Sequence, residues 1–395
     1  MKGRESIYSR PVVAICYDFD KTLSPGDMQE YMLFPKLGIS AQEFWSESNE
    51  YANKNGMDKT LSYMKLIVKK AVEQEDKLSL TSKDFRKMGR DVALYGGLDT
   101  WFDRINEYAA DLELNAEHYI ISSGIKEILD GTSIVKARRF KAIYASCFVY
   151  NKNGVPIWPK QVVNSTQKTQ YLFRINKNCV DLSDEDSLNR SMHDNERRVP
   201  FRNIIYIGDS STDIPAMRVV KKEGGLAIGV YAPGQSPAKI AKLLRDERID
   251  FFAPADYCEG SAIESYVKKR INHIKASEEL ADVNNHQKHL INYLGHIRSV
   301  TKYFEESLNE IEDNCALNDL RNEANKFFRK TKKEITDNYV GDCFVCNDIV
   351  LIIEEQRTEF DKIVKSRTRE LARLRNDDKE AHSLFKGEQF DINCS

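Results

Sequence analysis

Alternating apolar and polar segments along the first two thirds of the chain predict strands separated by helices. The runs Val12–Tyr17, Tyr119–Ile121, Ile204–Ile207 and Gly225–Tyr231 are short, almost continuously apolar and rich in β-branched residues. Runs of this kind are typical of strands that are buried on both faces of a parallel sheet. The segments between them favour helices, so we expect an α/β fold built on a doubly wound parallel sheet.

Three segments depart from this alternation. Residues 27–95 read as mostly helical and form an insertion after the first strand. Asn153–Gly154 joins two apolar runs, and this dipeptide is a strong signal for a β-hairpin, here expected over residues 142–163. Residues 176–199 are polar and mixed in charge, and we expect a surface loop there.

The last part of the chain follows a different rhythm. From Val283 to Cys315, apolar residues recur at spacings of four and three, which is a repeat of about 3.5 residues. A weaker repeat runs from Ile349 to Leu374. These repeats predict a bundle of long antiparallel helices over residues 275–395, with a first helix of about 30 residues and so about 45 Å in length.

The overall composition excludes some classes of function. The 395 residues carry a formal net charge of -2, so there is no general bias toward nucleic acid or a membrane surface. No apolar run reaches the roughly 18 residues that suggest a transmembrane helix, and the N-terminus is not typical of a signal peptide. The eight cysteines lack the spacing of a disulfide framework, which favours free thiols and a cytoplasmic location.

Two local patterns in the C-terminal region have plain explanations. Cys343 and Cys346 form a C-x-x-C pair, but a zinc site would need a second pair of ligands, so we expect unreactive thiols. Basic residues between Lys365 and Arg375 could contact nucleic acid. Acidic neighbours and the lack of interleaved aromatic residues favour a solvated helix face instead, so we do not expect nucleic-acid binding.

Candidate chemistry begins directly after the first apolar run. Asp18 and Asp20 stand at the expected carboxyl end of that strand, where open α/β sheets bind ligands. Two carboxylates at such a place can divide the work, because one can attack while the other moves protons. Taken alone, a strand-end aspartate is more often a helix cap or a turn former.

Further candidates follow later strands or a helix start: Ser122, Ser123, Gly124, Lys168, Asp209 and Asp213. Each has a simpler alternative. Ser122 could cap a helix that starts near Ile125, and Lys160 and Lys177 compete with Lys168 for the same role. Asp213 could cap the helix that begins at Ile214–Pro215, since proline is tolerated in a first turn.

The ordered set of motifs resembles the haloacid dehalogenase superfamily. Its members carry D-x-D-x-T, then a strand-end Ser or Thr, then a Lys, then G-D-x-x-x-D, and the resemblance covers roughly residues 10–270. It implies a catalytic core made of residues 1–26 and 96–274. It also implies that residues 27–95 form a helical cap of the phosphoserine phosphatase-like type, which would close over the active site. Residues 275–395 lie beyond the resemblance.

The resemblance implies a role for each of the paired carboxylates. Asp18 would attack a phosphoryl group, and Asp20 would protonate the leaving oxygen and then deprotonate the attacking water. Mg²⁺ would be held by the side chains of Asp18 and Asp209 and by the backbone carbonyl of Asp20. Superfamily members that act on carbon–halogen bonds lack an acid at the second position, so Asp20 favours phosphoester chemistry.

The remaining positions would serve the phosphoryl group and its surroundings. Ser122 would donate a hydrogen bond to a phosphoryl oxygen, and Ser123 and Gly124 would help to bind substrate. Lys168 would offset the negative charge between phosphate and carboxylates. Asp213 would hold either Lys168 or the metal ligands in place.

These expectations favour a Mg²⁺-dependent phosphatase that acts on a small phosphorylated molecule. The alternative from another class is a helical interaction protein whose core is regulatory, because the bundle has no catalytic motif. A third possibility keeps the chemistry but acts on a phosphorylated nucleic-acid end or protein. We expect any homo-oligomer or protein partner to bind through the C-terminal helices, and we expect no membrane association.

Overall fold

A seven-stranded, mostly parallel sheet lies at the centre of the N-terminal part of the chain. The computed structural model describes residues 10–73, 80–193, 196–338 and 344–387. The strands are β1 (Val12–Tyr17), β2 (Asn115–Ile125), β3 (Ala142–Tyr150), β4 (Pro156–Gln161), β5 (Ile204–Gly208), β6 (Leu226–Tyr231) and β7 (Phe251–Pro254). Their order across the sheet is β4-β3-β2-β1-β5-β6-β7, and only β4 runs antiparallel to its neighbour.

Helices flank this sheet and fill the insertion after β1. The helices of the insertion are α1 (Met28–Tyr31), α2 (Leu33–Leu37), α3 (Ala41–Asn55), α4 (Lys59–Glu73) and α5 (Ser82–Met88). Those that follow are α6 (Leu98–Asp111), α7 (Lys126–Leu129), α8 (Ser133–Lys136), α9 (Lys168–Lys177), α10 (Glu185–Asn189), α11 (Ile214–Lys222) and α12 (Ala238–Arg245). Among the described residues, the expected α/β architecture and the helical insertion are therefore present.

Successive residues of the central strands pack into two separate hydrophobic cores, one on each face of the sheet. Along β1, Val13 and Ile15 pack on one face of the sheet, while Ala14 and Cys16 pack on the other. This alternation follows from the period of two residues in a strand. The first face is also covered by helices of the insertion, including the buried Phe44 of α3. A strand buried on both faces explains why the whole of β1 is apolar.

The structure agrees with the sequence in the hairpin and departs from it in the loop that follows. Strands β3 and β4 pair antiparallel around Asn153–Gly154, as the dipeptide predicts, and Gly154 has a φ of +80°. The segment 176–199 was predicted to be a loop, but it contains the short helix α10. Asp184 caps this helix, since its side chain accepts a hydrogen bond from the backbone N–H of Ser187 at 2.9 Å.

The largest correction concerns the helix after β7. The sequence predicts one helix that ends near Ile274 and a separate helix in the bundle. The structure instead contains a single helix α13 (Ala262–Asn309) of 48 residues. By packing, the chain divides into two compact units, Met1–Glu279 and Leu280–Ser395, and α13 belongs to both.

The second unit contains the remainder of α13 together with α14 (Asn314–Asn338) and α15 (Phe344–Gly387). Its core is formed by apolar residues from all three helices, among them Ile297, Phe304, Phe328 and Phe360. The described residues of this region therefore form long helices with a shared apolar core, as the repeats predict. Cys343 and the side chain of Cys346 lie outside the described residues.

The described helices were also compared with what a membrane crossing requires. No helix in these ranges is both long enough and apolar enough to pass through a bilayer.

Candidate active site

Two aspartates stand at the adjoining carboxyl ends of neighbouring parallel strands. Asp18 follows β1 and Asp209 follows β5, and these two strands pair in parallel register. The backbone N–H of Asp18 continues the ladder, since it donates to the carbonyl of Ile207 at 2.9 Å. The sheet topology therefore brings together two residues that are far apart in the sequence, as the strand-end positions predict.

Lys168 is the residue that connects this sheet edge to α9. Its side chain is fully buried, and its Nζ lies 3.0 Å from Oδ1 of Asp18 and 2.7 Å from Oδ1 of Asp213. Tyr206 adds a second donor, because its hydroxyl lies 2.8 Å from the same Oδ1 of Asp213. The two carboxylates hold the pKa of Lys168 above its usual value in spite of burial, so the ammonium is charged.

The competing lysines occupy other places. Lys177 donates to the backbone carbonyls of Leu188 at 2.6 Å and Arg190 at 2.7 Å, and Lys160 lies exposed on β4. The structure therefore brings Lys168, and neither of these two, to the paired aspartates. The helix α9 begins at Lys168 itself, slightly later than the predicted start at Ser165–Thr166.

The glycine of the G-D-x-x-x-D motif makes room for Asp213. A Cβ atom at Gly208 would lie 2.6 Å from the carboxylate carbon of Asp213, which is closer than any real contact. The same carboxylate accepts from the backbone N–H of Ser210 at 3.2 Å, so it also closes the turn before α11. Asp213 thus stabilises the turn before α11 and contacts Lys168, but its side chain makes no capping hydrogen bond to α11, so the simpler alternative is wrong.

Three of the carboxylates could hold a metal ion together. Asp18, Asp209 and Asp213 each offer an oxygen, and these oxygens all lie within 4.8 Å of one another. Burial, followed by the charge of Asp213, raises the pKa of Asp209 to about 7 and also raises the pKa of Asp18. Carboxylates that repel one another in a buried place fit a hard divalent cation, which prefers oxygen ligands. The expected contribution of the backbone carbonyl of Asp20 stays a prediction.

The side chain of Asp20 contacts the helical insertion and the end of β2. Its Oδ1 accepts a hydrogen bond from the backbone N–H of Met28 at 2.8 Å. Its Oδ2 would lie 3.1 Å from a Cβ atom at Gly124, so the carboxylate stands against the end of β2. Burial raises the pKa of Asp20 well above its usual value, and the charges of Asp27 and Asp18 act in the same direction. A raised pKa favours the protonated form, which is the form that a general acid requires.

Ser122 lies at the same edge of the sheet, on the strand next to β1. The register pairs Tyr17 with Ile120, which places Ser122 beside the residues that follow β1. Its side chain is fully buried, and its Oγ accepts a hydrogen bond from the backbone N–H of Gly124 at 3.0 Å. The structure therefore brings Asp18, Asp20 and Ser122 to one place, together with Ser123 and Gly124.

Three residues of this neighbourhood were not predicted from the sequence. Tyr206 holds Asp213, Met28 holds Asp20, and Tyr63 of α4 donates from its hydroxyl to the carbonyl of Ser123 at 2.5 Å. Tyr206 lies in the strand that leads to the last motif, so its place near Asp213 could have been predicted from the sequence. Tyr63 and Met28 lie in the helical insertion and carry no such signal in one sequence.

Comparison with known proteins shows which family the chain belongs to. The sequence matches the haloacid dehalogenase-like hydrolases over residues 15–218. The chain belongs to this family. The match confirms the predicted resemblance, the α/β fold class and the expectation that this haloacid dehalogenase-like protein is an enzyme of the hydrolase class.

Individual relatives are more distant. An uncharacterized protein of Borreliella burgdorferi is 28% identical over 298 residues, which are 69% of this chain and 99% of that protein. A probable phosphoserine phosphatase from Vibrio cholerae has a TM-score of 0.42 at 12% identity, over 69% of each chain. A haloacid dehalogenase family hydrolase from Salmonella enterica serovar Typhi has a TM-score of 0.40 at 18% identity, over 61% of this chain and 66% of that one. The family assignment rests on the sequence match and not on these likenesses.

Proposed function

We propose that the chain is a Mg²⁺-dependent phosphomonoester hydrolase that works through a phosphoaspartyl intermediate on Asp18. The observation that carries the proposal is the convergence of Asp18, Asp20, Ser122 and Lys168 on one edge of the sheet. Family membership fixes the hydrolase class but not the bond that is cleaved. The acid at position 20 favours phosphoesters, because a second carboxyl can protonate an alkoxide leaving group.

The first step forms a bond between Asp18 and phosphorus. Oδ1 of Asp18 accepts from Nζ of Lys168 at 3.0 Å and from the backbone N–H of Phe19 at 2.8 Å, which orients the carboxylate and leaves Oδ2 to attack. As the new P–O bond forms, the bond from phosphorus to the leaving oxygen breaks. Asp20 gives its proton to that oxygen, and its raised pKa suits it to begin the step in the protonated form.

The second step removes the phosphoryl group from Asp18. Asp20, now ionised, takes a proton from a water molecule while the water oxygen attacks phosphorus. The bond between phosphorus and Oδ2 of Asp18 breaks, so the carboxylate and the protonated Asp20 are both restored. One residue thus acts in turn as acid and base, which requires that its carboxyl stay near both leaving group and water.

The charge that develops on the phosphoryl oxygens needs compensation from fixed donors. Lys168 supplies a buried positive charge beside Asp18, and the hydroxyl of Ser122 can donate to a phosphoryl oxygen once it turns from Gly124. Asp213 holds Lys168 at 2.7 Å, and so fixes where that charge lies. Mg²⁺, held by Asp18 and Asp209 with the carbonyl of Asp20, would neutralise further phosphoryl charge.

The substrate that we propose is a small phosphomonoester. The insertion contacts the site at two places, through Met28 against Asp20 and through Tyr63 against Ser123. A helical cap that contacts both the acid and the end of β2 favours a small substrate and helps to exclude water. We name no particular compound, since the contacts of the leaving group are set by cap side chains.

The test is turnover of a panel of phosphomonoesters with and without Mg²⁺, for the wild type and for Asp18→Asn. We expect Mg²⁺-dependent phosphate release by the wild type and none by Asp18→Asn. Asp246→Asn is the matched control, because Asp246 lies exposed at the end of α12 and away from the sheet edge. Full activity of Asp18→Asn, or of the wild type in excess chelator, would disprove the proposed mechanism.

We also propose a cytoplasmic location for the enzyme. The described cysteines Cys16, Cys147, Cys179, Cys258 and Cys315 are all free thiols. Unpaired cysteines are the usual state in a reducing compartment, so they support this location. Measuring the fraction of free thiols in protein isolated under acid quench would test it, and stable disulfides would argue against it.

A further inference from the structure

The end of β2 contains an irregularity at the point where the phosphoryl group would bind. Ser122 pairs with Ala145 of β3, but the next pair is Ile125 with Ser146, so Ser123 and Gly124 are extra residues. A bulge of this kind removes backbone groups from the ladder and changes the direction of neighbouring side chains. The backbone groups of the bulge therefore need partners from elsewhere.

Two of these partners come from the helical insertion. The carbonyl of Ser123 accepts from the hydroxyl of Tyr63 of α4 at 2.5 Å, and the N–H of Ile125 lies 3.2 Å from the sulfur of Met28 of α1. The third group, the N–H of Gly124, donates to Oγ of Ser122 at 3.0 Å. The bulge is thus held from outside by two different helices of the insertion.

The side chain of Met28 also explains why glycine stands at position 124. A Cβ atom there would lie 2.1 Å from Cε and 2.8 Å from Sδ of Met28. Met28 therefore lies directly on the bulge while its own backbone N–H holds Asp20 at 2.8 Å. Any movement of α1 would change the surroundings of both the bulge and the acid.

Tyr63 is well suited to act as a permanent donor. It is 5% exposed, and its ring packs edge-on against Trp45 with the ring centroids 5.7 Å apart. Burial and the charge of Asp20 raise the pKa of its phenol, so the hydroxyl stays protonated. A rigid ring with one polar atom can fix the position of a carbonyl more closely than a flexible chain can.

We propose that Tyr63 is a positioning residue that couples the seating of the cap to the geometry of the phosphate-binding bulge. Tyr63 acts through Ser122: it fixes the Ser123 carbonyl, and this fixes the turn that presents the Ser122 hydroxyl to the phosphoryl group. A cap that is not seated leaves the Ser123 carbonyl without its partner and the bulge free to shift. This inference rests on the proposed phosphatase function, which it extends to the cap.

The first measurement compares Tyr63→Phe with wild type. This change removes one hydroxyl and keeps the ring, and we expect kcat/KM to fall about tenfold because small displacements at a reacting centre are costly. Tyr51→Phe is the control, since Tyr51 is another tyrosine of the insertion, and its hydroxyl contacts only the surface Lys65 in the described structure. We expect that control to stay within about twofold of wild type.

The second measurement separates positioning from general destabilisation. If Tyr63 acts through Ser122, Tyr63→Phe should change kcat/KM by less than about twofold when it is introduced into Ser122→Ala, because coupled residues are not additive. A structural defect would multiply with the loss caused by Ser122→Ala. Two losses that multiply would therefore overturn the proposal.

The third measurement does not depend on catalysis. Hydrogen exchange of the peptide that contains Gly124 and Ile125 should be faster in Tyr63→Phe than in wild type, and unchanged in Tyr51→Phe. Unchanged exchange in Tyr63→Phe would overturn the inference even if the enzyme is an active phosphatase. Faster exchange in Tyr63→Phe, together with a wild type that shows no phosphatase activity, would instead overturn the proposed function and leave the contact between cap and bulge supported.

Discussion

The Nζ of Lys168 lies 2.7 Å from Oδ1 of Asp213, and neither side chain is exposed to solvent. Taking two charges out of water is costly, so such a pair is retained only where other groups support it. Here Asp18 and Tyr206 provide that support, at 3.0 Å from Nζ and 2.8 Å from the carboxylate. Lys168 therefore stabilises the fold in addition to the part that we propose for it in the chemistry.

We predict that Lys168→Met destabilises the protein by about 3–5 kcal/mol, because it leaves two buried carboxylates without a cation. Adding Asp213→Asn should restore part of this loss, since the second change removes one of the unpaired charges. Urea unfolding at neutral pH measures both effects. Lys177→Met is the control, because Lys177 contacts backbone carbonyls at the surface. A loss below about 1 kcal/mol for Lys168→Met would contradict the prediction.

A second prediction concerns the acid. We expect Asp20→Asn to slow hydrolysis of an alkyl phosphate by about 100-fold or more, because the alkoxide then leaves without a proton. The loss should be smaller for nitrophenyl phosphate, whose leaving group needs little protonation. Comparing kcat/KM for both substrates in wild type and variant measures the difference. Equal losses for the two substrates would show that Asp20 does not protonate the leaving group.

The parts of the fold that the sequence predicts well are those in which a local pattern decides the structure. Strand β1 coincides with the apolar run from Val12 to Tyr17, and Asn153–Gly154 alone predicts the hairpin. Helix α13 was divided wrongly because its apolar pattern changes near Ile274. No glycine or proline follows until Gly295, so nothing in the backbone ends the helix there.

In the candidate site, too, some residues could be predicted from the sequence and others could not. The strand-end positions predicted that Asp18 and Asp209 lie together, because parallel strands bring their carboxyl ends to one edge whatever lies between them. Lys168 was predicted from the order of the motifs, since it lies at the start of α9 and not on a strand. Tyr63 and Met28 could not be found in this way. Their contacts with the bulge depend on how the helices of the insertion pack on the sheet, and no spacing rule in one sequence determines that packing.

A third prediction uses pH to detect the metal. Burial raises the pKa of Asp209 from 3.8 to about 7. In the folded, metal-free protein Asp209 therefore keeps its proton up to about pH 7, whereas in the unfolded chain it loses this proton at about pH 4. The contribution of Asp209 to stability is therefore full below about pH 4 and falls as the pH rises through about 7. A cation that binds the ionised carboxylate competes with this proton, so its stabilising effect should grow over the same range.

We accordingly expect Mg²⁺ to raise the melting temperature more at about pH 8 than at about pH 6. Asp209→Asn should remove most of this rise at both pH values, whereas Asp246→Asn should keep it. Differential scanning fluorimetry with a matched ionic strength measures the effect. A rise that is equal at both pH values, or that survives in Asp209→Asn, would argue against binding at these carboxylates.

The last prediction concerns the helical unit. Each candidate site residue lies in the unit that ends at Glu279, and the two cores of the sheet contain no residue beyond Ile274. Glu278 accepts from Arg202 at 2.9 Å and from Asn203 at 3.1 Å, so a truncation should keep this residue. We predict that a chain ending after Glu279 folds and keeps kcat/KM within about threefold of the full chain.

We also propose that the helices of the second unit mediate association, and the same pair of proteins tests this. Leu280, Val283 and Ile291 of α13 are 67%, 54% and 66% exposed, whereas Phe304 and Leu308 of the same helix are buried. Apolar residues left open on a helix are a common site of contact with another chain. Light scattering should therefore give the full protein a molar mass that is a larger multiple of its single-chain mass than it gives the truncated protein. A folded truncation without turnover would show instead that the helices complete the active site.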